Sequence, residues 1–148
     1  MEIKKVGIVG CGLMGSGIAE ITARAGYEVV VTEVAEEYLK KGIARIESST
    51  QKAVDRGKMT AEERVMTLAR VQGSTSLDDL NRCQLVIEAV VEKMDEKKRI
   101  FGILDTTCPP DTILASNTSS LSITEIASVT NRPDKVIGLH FFSPVPAM

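Results

Sequence analysis

At 148 residues, with 43% apolar and 26% charged residues and a formal charge of −2, the chain is one domain's worth of globular protein with enough length to bury a core. That balance gives no electrostatic case for nucleic acid or an anionic membrane surface, and two tyrosines and three phenylalanines are too few for a base-stacking platform. No apolar run approaches the length of a membrane span, and the three cysteines, odd in number and without metal-ligand spacing, fit a reducing compartment.

Met1-Glu2-Ile3-Lys4-Lys5 leads at once into an apolar strand over residues 6–9, which leaves no room for a secretory signal, so a cytoplasmic location is expected. Gly10, Gly12 and Gly15 follow in a G-x-G-x-x-G spacing, and a helix over 14–25 begins behind them, with Ile18, Ile21 and Ala25 at helical spacing and Gly26 as its stop. A second apolar strand over 27–32 then ends in Glu33, 18 residues after Gly15. Strand, glycines, helix, strand and terminal acid in that order are the mark of a dinucleotide site.

Each part has a physical task. Gly10 permits a tight turn out of the strand, Gly12 removes a side chain that would hold a diphosphate away from the backbone, and Gly15 permits close helix–strand packing. The first-turn N–H groups, those of Leu13 and Met14 among them, have no internal acceptor and sit at the positive end of the helix dipole. Glu33 is placed to accept from ribose hydroxyls and would repel a 2′-phosphate. No Arg or Lys follows before Lys40, which favours NAD over NADP. The other reading is an ordinary strand-to-helix turn with a solvated acid. Cys11 reads as a small residue filling the turn, not as a nucleophile.

Beyond Glu33 a long helix is expected over 35–56, with Leu39, Ile43, Ile46, Ala53 and Val54 on one side and Gly57 as its cap. Thr60-Ala61-Glu62-Glu63 is a capping box opening a helix to about residue 69. This helix pair is longer than one crossover needs, so it reads as an insertion able to touch a bulky ligand. A short strand over 71–74 and a helical turn over 77–81 precede a strongly apolar strand over 85–91 that contains one acid, Glu88. Asp95 opens a charged helix with Ile100, Ile103 and Leu104 inward, stopped by Cys108-Pro109-Pro110. A strand over 112–115, a capping box at Ser122-Ile123-Thr124-Glu125 and a last strand over 136–139 complete the order. Strands alternating with helices predict an α/β fold, a doubly wound, mostly parallel sheet of Rossmann type with an inserted helix pair, spanning residues 1–148 as one dinucleotide-binding domain.

In such a sheet, ligands gather outside the carboxyl ends of the strands. Glu92, the run Ser116-Asn117-Thr118-Ser119-Ser120 and His140, the one histidine, fall at such ends. An imidazole exchanges protons near neutral pH, as oxidation of an alcohol requires. A histidine packed beside Phe141 and Phe142 is the other reading, and position alone leaves both open.

Ala115-Ser116-Asn117-Thr118-Ser119-Ser120-Leu121 and His140-Phe141-Phe142-x-Pro144-Val145-Pro146-x-Met148, together with the glycines, resemble the NAD-binding domain of the 3-hydroxyacyl-CoA dehydrogenases, most of all the bacterial 3-hydroxybutyryl-CoA enzymes. The resemblance covers nearly the whole chain. It implies NAD as cofactor and reversible oxidation of (S)-3-hydroxybutyryl-CoA, or another short-chain 3-hydroxyacyl-CoA, to acetoacetyl-CoA. It implies that His140 removes the 3-hydroxyl proton and that Ser119 contacts the reacting oxygen and the cofactor. Glu92 and Lys97 match positions near the nicotinamide ribose, and Glu33 matches the adenosine-ribose acid.

Coenzyme A would run partly along the helix pair, where Lys52, Arg56 and Lys58 are candidate phosphate contacts; a solvated helix face is the alternative for each. Glu88 reads as structural or supporting. Ser143 stands at a cofactor position where the family usually has Asn, and is shorter and without an amide. The family's glutamate about a dozen residues beyond the histidine, and its helical C-terminal domain that forms a homodimer and much of the substrate cleft, lie outside these 148 residues. The isolated chain is therefore expected to bind NAD and turn over little substrate. Two other functions fit the motifs: a stand-alone NAD-binding or sensing module, and a dehydrogenase of another small hydroxy acid.

Overall fold

A computed structural model describes residues 1–147. Met148, the last residue of the tail motif, lies outside the described residues. Six parallel strands form one sheet: β1 (Lys5–Val9), β2 (Glu28–Thr32), β3 (Val71–Ser74), β4 (Leu85–Glu88), β5 (Ile113–Ser116) and β6 (Val136–Gly138), in the spatial order β3-β2-β1-β4-β5-β6. The helices are α1 (Leu13–Arg24), α2 (Glu36–Asp55), α3 (Ala61–Ala69), α4 (Met94–Thr107) and α5 (Ile123–Ala127). The doubly wound sheet expected from the alternating pattern is present, with its boundaries moved by a residue or two at most ends. No helix among the described residues is long and apolar enough to cross a membrane.

Both faces of the sheet are covered, which is why its strands are apolar without alternation. Val6, Ile8, Val29, Val31 and Ile87 pack toward Ile18, Ala19 and Ala23 of α1 and Leu39 and Ile46 of α2. Val30, Val86, Leu114 and Val136 pack the other way, against Ile100, Phe101 and Leu104 of α4 and Ile126 of α5. Phe101, fully buried, completes the inward face of α4 beside the expected Ile100 and Leu104.

The α2–α3 insertion is anchored to the sheet at its base. Gly42 of α2 lies against Cys11, and a Cβ there would overlap the Cys11 carbonyl and thiol. Arg64 of α3 donates to Thr50 Oγ1 (3.1 Å) and to the Glu47 carbonyl (3.0 Å), tying the two helices together. Both capping boxes act at their first residue: Thr60 accepts from the Glu63 amide and Ser122 from the Glu125 amide.

One expected element is corrected. The strand expected over 85–91 stops at Glu88, because the Glu88 carboxylate accepts the Val90 amide (2.7 Å) and turns the chain out of the sheet. Val90 and Val91 are apolar because they wall a crevice.

Opposite the ligand side, Arg132 ties the end of α4 to the loop before β6. Its guanidinium donates to Asp105 Oδ1 (2.7 Å) and to the carbonyls of Asp105, Cys108, Pro109 and Thr112. Burial alone would raise the Asp105 pKa, but the Asn131 amide and the Arg132 hydrogen bond and charge outweigh it and hold the carboxyl below its usual range. Arg132→Leu leaves an unpaired carboxylate and four carbonyls in place, so a loss of about 3–5 kcal/mol is expected, readable as a fall in Tm of roughly 10 °C or more. Because the Asp105 pKa is depressed in the fold, its contribution is present above the unfolded carboxylate pKa and is lost as pH falls through the lower folded value. The variant should therefore show a flatter stability profile on acidification; an unchanged melting curve would show that the guanidinium is dispensable.

Candidate active site at the strand switch point

Register aligns the carboxyl ends of the strands. Val9 pairs with both Thr32 and Glu88, and Glu88 pairs with Ser116, which pairs with Gly138. From β1 the chain winds toward β2 and β3, and from β4 toward β5 and β6, so the crevice at the β1/β4 junction is the site this topology offers a ligand. Ala89 and Val90 stand in the middle of it and wall both halves.

The first half lies over β1 and β2. Gly10 adopts φ +100°, open to glycine at little cost, and donates its amide to the Thr32 carbonyl. A Cβ on Gly12 would meet nothing within 4 Å, so the main chain there is open to a ligand. A Cβ on Gly15 would overlap the Gly10 carbonyl, so only glycine lets α1 start this close to β1. The helix opens with the bond from Ser16 N–H to Gly12 O (2.9 Å), which leaves the amides of Leu13, Met14 and Gly15 without helical acceptors, at the positive end of the dipole.

Glu33 closes this half. One carboxylate oxygen accepts the Cys11 amide and the other the Val34 amide, both at 2.9 Å, which fixes the group at the end of β2. Val34, Leu77 and Val90 supply apolar walls with Lys93, Glu96 and Arg99 around them. This set suits a diphosphate on the turn, a diol on the acid and a flat apolar base between the walls. Cys11 is fully buried beside Gly42. Burial, with the Glu33 charge adding and Arg45 opposing, pushes its thiol up to about 11. It is a packing residue with no thiolate at neutral pH.

The second half lies over β4, β5 and β6 and brings together His140, Ser119, Glu92, Lys97, Ser143 and Met14. The His140 ring sits 4.7 Å from Phe142, tilted by 55°. Among the described residues no carboxylate lies in ion-pair range of the imidazole. Ser119 donates its amide (3.3 Å) and hydroxyl (3.5 Å) to Glu92 Oε2. Burial is the largest single influence on Glu92 and raises its pKa, but hydrogen bonds from Thr118 and the Ser119 amide and the nearby Lys97 charge together outweigh it and hold it low, so the carboxylate stays ionised at neutral pH.

Lys97 is buried with its ammonium turned inward, 2.6 Å from Glu88 and 3.4 Å from Glu92. Asn117 was not singled out by sequence reasoning, although it lies within the quoted serine-rich run. Its Oδ1 accepts the Phe141 amide (2.8 Å) and so pins the backbone next to His140.

The basic candidates separate. Lys52 lines a groove beside α1 together with Lys41 and Arg45, which charge and spacing alone did not distinguish from other surface cations. Arg56 caps α2 and Lys58 follows in the turn; both are exposed, and neither lines that groove. The structure therefore does not bring the three together.

A parallel sheet with a glycine turn under one half of the switch-point crevice and an acid at the end of β2 defines a dinucleotide-binding domain. Residues 5–148 match the family described as 3-hydroxyacyl-CoA dehydrogenase, NAD binding domain, and the chain belongs to that family. It is 51% identical over 147 residues to a 3-hydroxybutyryl-CoA dehydrogenase of Mycobacterium tuberculosis, covering 99% of this chain and 51% of that protein. It is 42% identical to a 3-hydroxyadipyl-CoA dehydrogenase of Escherichia coli, covering 100% of this chain and 31% of that one. Among solved structures, the (S)-3-hydroxybutyryl-CoA dehydrogenase of Ralstonia eutropha superposes with a TM-score of 0.97 at 45% identity, over 99% of this chain and 52% of its own. The chain thus spans about half the length, or less, of these relatives. NAD is the cofactor of this domain family, and the open backbone at Gly12, the free first-turn amides and Glu33 fit it.

Proposed function

We propose that this chain is the cofactor-binding domain of an enzyme that oxidises (S)-3-hydroxybutyryl-CoA, or a similar short-chain 3-hydroxyacyl-CoA, to the 3-oxo thioester with NAD, reversibly and in the cytoplasm. The observation that carries this reading is the placement of His140 and Ser119 in one crevice, across Ala89 and Val90 from the glycine turn. Bound there, NAD supplies the acceptor for the hydride that leaves C3. The protein's own part is to take the hydroxyl proton on His140, hold the reacting oxygen by the Ser119 hydroxyl, and keep Ser119 aimed through Glu92 and His140 through Asn117.

Gly10, Gly12, Leu13, Met14 and Gly15 hold the diphosphate, Glu33 the adenosine ribose, and Glu92, Lys97 and Ser143 border the nicotinamide half. The groove with Lys52, Lys41 and Arg45 takes the coenzyme A phosphates, and Arg56 and Lys58 contribute at longer range. A reducing location is supported by three buried, free cysteines. The homodimer interface and the rest of the substrate cleft belong to the remainder of a protein of the relatives' length.

The cofactor assignment is tested by calorimetric titration of the chain with NADH, NAD and NADPH. NADH should bind and NADPH should bind much more weakly, because the Glu33 carboxylate is placed to accept from a ribose diol and would repel a 2′-phosphate. Glu33→Ala should weaken NADH by about 1.5–3 kcal/mol, the range for a hydrogen bond to a charged group, and narrow the gap to NADPH. Equal affinities for the two nucleotides in the unaltered chain would remove the role given to Glu33. No heat with any nucleotide would remove the reading as a whole.

A further inference from the structure

Glu88 and Lys97 form an ion pair inside the domain, with side chains 0% and 2% exposed and 2.6 Å between them. Such a pair is an expensive way to fill a core: taking both charges out of water costs about what their attraction returns, and apolar replacements of similar volume are often neutral or stabilising. Its bonding is nonetheless complete. Glu88 Oε1 accepts the Ser116 hydroxyl (2.6 Å), and Oε2 accepts Lys97 (2.6 Å) and the Val90 amide (2.7 Å).

From there the contacts run outward in two branches. Lys97 reaches the Val90 carbonyl and Glu92 Oε1, each at 3.4 Å, and Glu92 takes the Ser119 amide and hydroxyl. Ser116 in turn accepts the Thr118 amide (3.3 Å). Glu88 is wholly enclosed, so it touches no ligand, yet both loops that form the His140 half of the crevice hang from its carboxylate.

We infer that Glu88 is a positioning residue for the nicotinamide half of the site: it holds Lys97 so that Lys97 holds Glu92, and Glu92 holds Ser119, with the 89–91 turn fixed by the same carboxylate. This rests on the dinucleotide reading above. The glycine turn and Glu33 take no part in the network, so the adenosine half shares with it only the wall at Val90.

The test is calorimetry with AMP and with NADH on the unaltered chain, on Glu88→Gln and on the double variant Glu88→Gln/Lys97→Met. The double variant removes both buried charges and should fold even where the single one, which strands the Lys97 ammonium, does not. In each folded variant NADH should bind about tenfold more weakly, the loss of one charge-assisted contact in the nicotinamide half, and AMP, which meets the network only at Val90, should weaken by much less. A purely structural pair would weaken both ligands to the same extent or neither, and either result overturns the inference. So does failure of the double variant to fold, since the pair would then serve the fold itself. If the unaltered chain binds neither AMP nor NADH, it is the dinucleotide reading that fails.

Discussion

His140→Ala, introduced into a full-length protein carrying this domain, is expected to lower kcat by about 10²–10⁴-fold while leaving NADH affinity nearly unchanged. The imidazole is exposed, sits at the far half of the crevice from the glycine turn and lies near Phe142, so its removal would delete the proposed proton acceptor without disturbing the proposed anchorage of the cofactor. Stopped-flow measurement of NADH formation and calorimetry with NADH separate the two effects. Loss of affinity in proportion to rate would make His140 a packing residue.

The 148 residues alone are expected to turn over little substrate. An imidazole with no carboxylate partner keeps neither a fixed tautomer nor a stabilised cation, and loss of the orienting acid in a hydrolase triad costs about 10⁴ in rate. Substantial steady-state turnover by the chain alone would show that His140 needs no such partner.

Gly15→Ala should melt at a much lower temperature and lose measurable NADH binding, whereas Gly12→Ala should lose affinity with its melting temperature intact. The two glycines sit three residues apart and have separate tasks. A methyl on Gly15 runs into the backbone carbonyl of Gly10, which cannot rotate away as a side chain would, so the start of α1 must move off β1. Overpacking of this kind costs about 1–3 kcal/mol or more and would displace the amides proposed to hold the diphosphate. A methyl on Gly12 meets no protein atom within 4 Å and projects into the space the cofactor needs. Thermal melts and titrations of both variants test the division. A Gly15→Ala protein that melts and binds like the unaltered chain would show that α1 tolerates a wider spacing.

Much of the phosphate half was legible in the residues because its requirements are local. A positive φ at Gly10, a close approach at Gly15 and open backbone at Gly12 each demand glycine at a set offset from a strand end, and Glu33 follows one βα unit later. The family resemblance brought His140 and Ser119 into view, and the fold then placed them in one crevice. The apolar run over 85–91 outlasts β4 because apolarity alone does not distinguish a residue buried in a sheet from one lining a crevice. Val90 leaves the ladder through a hydrogen bond to a side chain two residues back.

Other features had no sequence signal of their own. Nothing in the spacing says that Glu88 and Lys97 should pair, since the nine-residue step between them passes through a turn and into α4 before the two meet. Nor does the pattern of cations along α2 say that Lys41, Arg45 and Lys52 share a groove that Arg56 and Lys58 do not line.

By itself, then, the sequence determined the order of strands and helices, the parallel α/β class, the glycine turn and the acid that answers it. These follow from backbone conformations and apolar runs that individual residue types enforce over short stretches. The tertiary structure alone decided which distant side chains meet: the buried acid–lysine pair beneath Ser119, the amide of Asn117 beside His140 and the Arg132 tie across the opposite end. Such contacts depend on how the turns and crossover helices settle on the sheet, a matter of packing between separate elements, nine to 27 residues apart in these cases, that no local pattern encodes.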